Sequence, residues 1–414
     1  MQLTVGALTG SNDIGCARGP GPFPGLFRSA VGIAALVAAV SVHAAPFIPA
    51  DDAQVLEHLP SRSTPQFREL KSLQAAAVQA PNDLGRATAL ATAYVRASRV
   101  EGDPRFLGYA EGTLAPWWRN PEAPTKVLVL RATIRQSSHQ FDASIADLDV
   151  VLQREPTNAQ ALLTRATVLT VQGRYAEARS DCGGLSRIGL EFYAVICATA
   201  IDSMTGKAVS AYESLQQALR TLPRIDPAGR VWAETLLGEI AHRRGDPAAE
   251  EHFRAALSVG DRDLYLLGAY SDWLLDQGRA AEVLSLLGNE TRVDPLLLRL
   301  ALAQKALGRP EAAASIETLR ARFDASHARG DTVHQRENAR FELALRGDPR
   351  GALPYAVANW KVQREAADLR ILAETAVATD DADSLGVVKQ WLATTGFEYR
   401  AVQVLVSGGK GMAK

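Results

Sequence analysis

Thr125 to Leu148 reads TKVLVLRATIRQSSHQFDASIADL, and Ala159 to Cys182 reads AQALLTRATVLTVQGRYAEARSDC. Leu128-x-x-Arg131-Ala132 in the first stretch returns as Leu162-x-x-Arg165-Ala166 in the second. Phe141 returns as Tyr175, Ser144 as Ala178 and Leu148 as Cys182. Each interval is 34 residues, the period of a helix–turn–helix unit that buries its apolar face by stacking on its neighbours. The fold class is therefore all-α, a solenoid of antiparallel helix pairs. Such an array binds other molecules more readily than it does chemistry, so the period leaves the partner open.

The turn propagates outward. Gly173, Gly206, Gly245, Gly278, Gly308 and Gly347 each follow an apolar-periodic segment, at intervals of 33, 39, 33, 30 and 39 residues. A glycine there ends a helix by taking a left-handed conformation at little cost. The stretched intervals predict longer connections or a longer helix around Pro223–Gly229 and Arg322–Thr332. Asp83 to Ala97 and Pro104 to Trp117 read as a first pair, with an insertion near Val100–Asp103. Asp368 to Ala378 and Asp383 to Leu392 read as a degenerate last pair, and Pro65 to Ala77 as a capping helix. About nine pairs result, spanning 83–396, between an N-terminal segment at 45–82 and a tail at 397–414. Strand signals are nearly absent, and the Ala, Leu, Arg and Glu content suits helices.

The types at the marked positions resemble the tetratricopeptide repeat. Ala166 stands at the small position of the first helix, Gly173-Arg174-Tyr175 at the turn and aromatic, Ala178 at the second small position, and Pro156 closes the preceding unit. Small residues let two helices approach while large ones fill the gaps beside them. The resemblance implies a right-handed superhelix whose first helices line a concave face. It also implies ligand contacts from repeat positions two, five, nine, twelve and thirteen. The second position reads Lys126, Gln160, Tyr193, Trp232, Tyr265, Pro295 and His334, so three consecutive repeats place Tyr193, Trp232 and Tyr265 alike. Such rings either form a ladder that anchors a ligand or pack at helix ends. The ninth position adds Thr133, Thr167, Glu239 and Asp272, a groove neutral at one end and acidic in the middle. The Lys/Asn/Arg set by which some members of the family clamp a carboxylate does not occur at these positions.

Ala30 to Val42 (AVGIAALVAAVSV) is an uncharged apolar run preceded by Arg28 and followed by Val42-His43-Ala44. That order predicts a signal peptide over 1–44 cleaved near Ala44, with an unusual Gly/Pro-rich extension over 1–25. An uncleaved anchor is the alternative reading. Cys16 precedes the run rather than ending it, which rejects a lipoprotein. The expected location is periplasmic or secreted, with membrane contact only through the leader or a membrane-protein partner. With 45 basic and 46 acidic residues the net charge is −1, leaving a mature chain of about −2. No basic surface is implied, so nucleic acid is not the expected partner, and the RNA-reading pentatricopeptide family is set aside for the same reason.

Beyond the leader two cysteines remain, Cys182 and Cys197, on adjacent antiparallel helices of neighbouring pairs. In an oxidising compartment they either form a disulfide, if the Cα atoms lie within about 7 Å, or fill two small core positions. His327 and His334 near Asp331 and Glu337 lack the i,i+4 spacing of a metal site. With Arg320, Arg322, Arg329, Arg336 and Arg340 interleaved among Glu317, Asp324, Asp331 and Glu337, that stretch reads as a salt-laced exposed helix. No nucleophile elbow, phosphate loop, dinucleotide fingerprint or zincin motif occurs. No cofactor and no enzymatic activity is expected. Trp117-Trp118 is read as one ring sealing the first repeat and one available to stack on a sugar. The sequence thus points first to an exported scaffold presenting a groove to a partner peptide or helix. Second comes a soluble part of a cell-wall or exopolysaccharide assembly machine.

Overall fold

A computed structural model describes residues 51, 65–222, 225–260, 262–288 and 290–408. The leader, Cys16, Ala44 and Pro223, where one stretched connection begins, lie outside the described residues. From Leu70 onward the chain forms one compact unit, to which all that follows refers.

Helix α1 (Pro65–Gln79) precedes nine helix pairs. The first is α2 (Leu84–Glu101) with α3 (Arg105–Thr113), followed by the short α4 (Ala115–Trp118). The second and third are α5 (Thr125–Ser137) with α6 (Phe141–Arg154), and α7 (Ala159–Val171) with α8 (Tyr175–Arg187). The fourth and fifth are α9 (Glu191–Asp202) with α10 (Ala208–Thr221), and α11 (Pro227–Arg244) with α12 (Ala249–Ser258). The sixth and seventh are α13 (Leu264–Asp276) with α14 (Ala280–Leu287), and α15 (Asp294–Ala306) with α16 (Glu311–Ala328). The eighth is α17 (Gln335–Arg340), running on as a π-helical turn over Phe341–Arg346, with α18 (Pro349–Val362). The ninth is α19 (Ala366–Thr379) with α20 (Ala382–Thr395), and α21 (Arg400–Val406) ends the unit. Each helix packs chiefly on its sequence neighbours, as a helical-repeat solenoid does. No strand occurs among the described residues.

Sequence chemistry accounts for the helix ends. Asp83, Asn158, Asp226, Asp263, Asp348 and Asp381 each cap a first turn by accepting a backbone N–H three residues on. The turn glycines adopt positive φ, 75° at Gly173 and 75° at Gly206. In the second pair His139 holds that place at φ 55°, and in the ninth Asp380 does so at φ 54°. The two stretched intervals resolve as longer helices, since α11 and α16 both run 18 residues. Arg322 therefore lies inside α16. Val100 and Glu101 likewise extend α2, so no insertion precedes Gly102.

The array does not stay open. The backbone N–H of Arg364 donates to the Val171 carbonyl at 2.7 Å, and its guanidinium donates to the Gln172 carbonyl at 3.1 Å, across 192 positions of sequence. Gly206 meets Gly396 so closely that a Cβ on Gly206 would stand 3.2 Å from the Gly396 carbonyl oxygen. The Ala208 N–H donates to Glu398 at 3.2 Å, and Arg370 pairs with Asp276 at 2.8 Å. On the other rim Arg262 donates to the Val100 carbonyl at 2.8 Å, and Gly102 abuts Val293 and Leu264. The first, third and fourth pairs thus touch chain five or six pairs further on, the ninth pair also reaches the sixth, and the superhelix closes over its own concave face. The expected tail at 397–414 is corrected accordingly. Phe397, Tyr399 and Val402 are buried in the core of the last pairs, with α21 packed on α19.

Candidate functional site

Closure leaves a cavity of about 1210 Å³. First helices α5, α7, α9, α11, α13 and α15 supply one wall, and α2 with α3, the Arg329–Glu337 segment and the start of α19 supply the rest. Of the residues singled out from sequence, Thr167, Trp232, Glu239, Tyr265 and Asp272 line it. Thr133 does not, because its side chain is buried; its hydroxyl donates to the Val129 carbonyl at 2.9 Å, as that of Thr167 donates to the Leu163 carbonyl. Tyr193 also lies off the lining, with its hydroxyl donating to Asp226 at 2.5 Å. The three rings do not form a ladder. Tyr193 and Trp232 pair with centroids 6.3 Å apart, while Tyr265 makes no ring contact among the described residues. Trp232 is only 8% exposed and serves the core as much as the cavity, whereas Tyr265 keeps 40% of its surface free.

The acidic middle of the groove is answered by arginines. Asp272 accepts from Arg299 and Arg340, each at 2.5 Å. Burial alone would raise its carboxyl, but the two guanidinium groups hold it near 2. Glu239 accepts from the Tyr265 hydroxyl at 2.6 Å, and burial pushes its carboxyl above the usual range. Arg336 donates to Glu365 at 3.0 Å and Asp368 at 3.2 Å. Of these two buried carboxyls Glu365 stays low beside Arg336. Asp368 is pushed up to about 6, by burial and by Glu365. Burial and the nearby Arg336 push the His139 imidazole down to about 4.

Arg336, Glu337 and Arg340 therefore depart from the exposed-helix expectation. Arg320 between Glu317 and Asp324, and the Arg329–Asp331 pair, do stand in solvent. Glu337 is buried, His334 and Asp331 line the cavity, and His327 stacks on Tyr355 at 5.3 Å. No group of three metal-capable side chains occurs among the described residues. Trp117 and Trp118 are both half-buried against the first core, with the Arg135 guanidinium 5.8 Å from the Trp118 ring. Neither is the freely exposed ring that sugar stacking needs. The Cys182 and Cys197 sulfurs are joined, with Cα atoms 5.6 Å apart.

One feature of the repeat escaped the sequence reading. Arg131 grips Asp147 through two hydrogen bonds of 2.9 and 2.6 Å, and Arg165 grips Asp181 through two of the same lengths. The two pairs stand 34 residues apart, so Asp147 and Asp181 were visible as a repeated acid opposite a repeated base.

No family model matches the chain. Over 286 residues it is 26% identical to the cellulose synthase 1 operon protein C of Komagataeibacter xylinus, a match covering 62% of this chain. The chain spans only 21% of that relative's length. The human IFIT1 dimer with m7Gppp-AAAA aligns over 83% of this chain and 86% of its own, at 12% identity and a TM-score of 0.38.

Proposed function

We propose that the chain is an exported helical-repeat scaffold that holds a segment of a partner protein in the cavity enclosed by its first helices. The cavity itself carries this reading. It is lined by the face with which such repeats bind, and it offers Tyr265, Thr167 and Thr170 as contacts around a satisfied charge network. A half-exposed aromatic ring on a rigid wall, such as Tyr265, is the kind of anchor a bound peptide uses. Export rests on the apolar run ahead of Ala44. The test is capture from an envelope extract by the mature chain, by Tyr265→Ala and by Ala269→Trp, which fills the cavity from its wall. Both variants are expected to lose partners that the parent retains and that a Tyr193→Phe control keeps. Equal capture by all four sinks the reading.

The relation to a cellulose synthase operon protein favours a second reading, service in a polysaccharide assembly machine. On that reading the same cavity holds a glucan segment. Binding of cello-oligosaccharides by the parent, abolished by Ala269→Trp, would establish it.

A further inference from the structure

The seam where the last helices meet the third and fourth pairs is held chiefly by polar contacts. The Arg364 N–H donates to the Val171 carbonyl, the Ala208 N–H donates to Glu398, and backbone meets backbone at Gly206 and Gly396. One ion pair, Arg370 with Asp276, ties the same helices to the sixth pair. The last helices have an apolar core of their own. From the third and fourth pairs only Tyr175 and Met204 reach it among the described residues. The opposite rim differs, because there Gly102 lies against the Val293 and Leu264 side chains.

The seam also leaves buried polar atoms without partners. The Tyr175 hydroxyl of the third pair and the Trp391 indole N–H of the ninth are both in this state, with their rings 6.2 Å apart across the seam. Arg243 is 6% exposed and sits between the two sides. Its Nη2 donates to the Ser203 hydroxyl of the fourth pair at 3.0 Å, and its guanidinium lies 5.6 Å from the centre of the Phe397 ring. Glu239 acts on it electrostatically, yet its Nε has no hydrogen-bond partner. Closing the seam takes these atoms out of water and gives nothing back, so opening it rehydrates them at a gain. The repeat does not need the Tyr175 hydroxyl, since Phe141 fills the equivalent place one unit earlier and is buried there.

We propose that this seam is a gate, where α18–α21 part from the third and fourth pairs as a minor, recurrent excursion of the closed protein and so admit an occupant to the cavity. Little apolar surface is exposed by that movement, and the unpartnered atoms regain water, so it costs far less than unfolding. An enclosed binding space needs such a movable wall. The gate serves a peptide or a glucan alike and goes beyond either reading of the function.

Hydrogen exchange on the full mature chain, resolved to single amides, reads the gate without any partner. The N–H groups of Arg364 and Ala208 hydrogen-bond across the seam, whereas those of Leu237 and Leu372 lie inside buried helices. The first two are expected to exchange at least about 100-fold faster than the second two, and with a weaker urea dependence. Tyr175→Phe, which removes one stranded hydroxyl and keeps the ring, should slow both seam amides by about tenfold. Labelling of Ala269→Cys on the cavity wall by fluorescein maleimide should slow by the same factor when Tyr175→Phe is added. Seam amides that exchange with the rate and urea dependence of Leu372 overturn the proposal, as does no slowing by Tyr175→Phe in a folded protein. Unchanged labelling of Ala269→Cys overturns it too, because the cavity is then entered elsewhere. None of these outcomes bears on whether Ala269→Trp abolishes partner capture, so the scaffold reading stands or falls separately.

Discussion

At the residue scale the strongest constraint is the repeated arginine–aspartate pair. Arg131 is almost fully buried, and besides Asp147 it donates to the carbonyls of Trp118 and Asn120. It therefore ties α5, α6 and the end of α4 together. Removing Asp147 leaves the buried Arg131 charge unmatched, which typically costs about 3–5 kcal/mol. Asp147→Asn should lose about that much in urea unfolding, and Arg131→Met less, because Arg135 still donates to Asp147 at 2.7 Å. The double variant Arg131→Met/Asp147→Leu should lose clearly less than Asp147→Asn. Equal losses for that single variant and the double would show that packing, not charge, dominates.

His139 is a second residue with a measurable signature. Its folded imidazole titrates near 4, against about 6.5 for an unperturbed histidine. Between those values His139 binds more protons in the unfolded chain, so its contribution to stability is complete above pH 6.5 and declines as pH falls toward 4, against an opposite slope from Asp368, whose folded carboxyl is raised to about 6. His139→Asn, which tolerates the left-handed turn, should flatten that part of the stability profile. An unchanged slope would place the effect on another group. The 34-residue alignment shows that His139 occupies a glycine position. It does not show that Arg336 and Gln363 come to lie beside it from 200 residues away, because no local pattern encodes a long-range return.

At the element scale, helix existence, pairing and turn placement were legible because period, caps and turn residues agree at every level. The stretched intervals were legible only as alternatives, and the long helices α11 and α16 decide between them. Groove membership was half legible. Trp232, Glu239, Tyr265, Thr167 and Asp272 reach the cavity, but a repeat position does not say how far neighbouring chain covers a side chain. Thr133 is buried, and Tyr193 packs beside Trp232 off the lining. Two elements meet where no side chain separates them. Gly396 has φ 68°, and a Cβ there would stand 3.4 Å from the Gly206 Cα. Gly278 has φ 70° with nothing within 4 Å. Gly278→Ala should therefore cost only the left-handed penalty, about 1–2 kcal/mol. Gly396→Ala should cost more, and the excess measures the contact between the fourth pair and the segment before α21. Equal losses would mean that this contact contributes nothing.

The Cys182–Cys197 link belongs to the same scale, joining α8 to α9. We expect the exported protein to carry no free thiol on these residues when labelled unfolded without reductant. Reduction should lower stability by about 2–4 kcal/mol. Two labelled thiols would rule the bond out.

For the whole molecule, the return of the last pairs onto the third and fourth is the claim on which the cavity, the buried charge network and the proposed gate all depend. Nearest-neighbour repeat logic gives the superhelix but not where a full turn meets itself, which is set by small rotations accumulated over several pairs. Spin labels at exposed Arg174 and Lys389, beside Gly173 and Trp391 and with Cys182 and Cys197 left oxidised, read that meeting directly. Closure is expected to give one narrow, short-distance population by pulsed electron–electron resonance. A broad or long population, with the ninth pair away from the third in the resting protein, would contradict it.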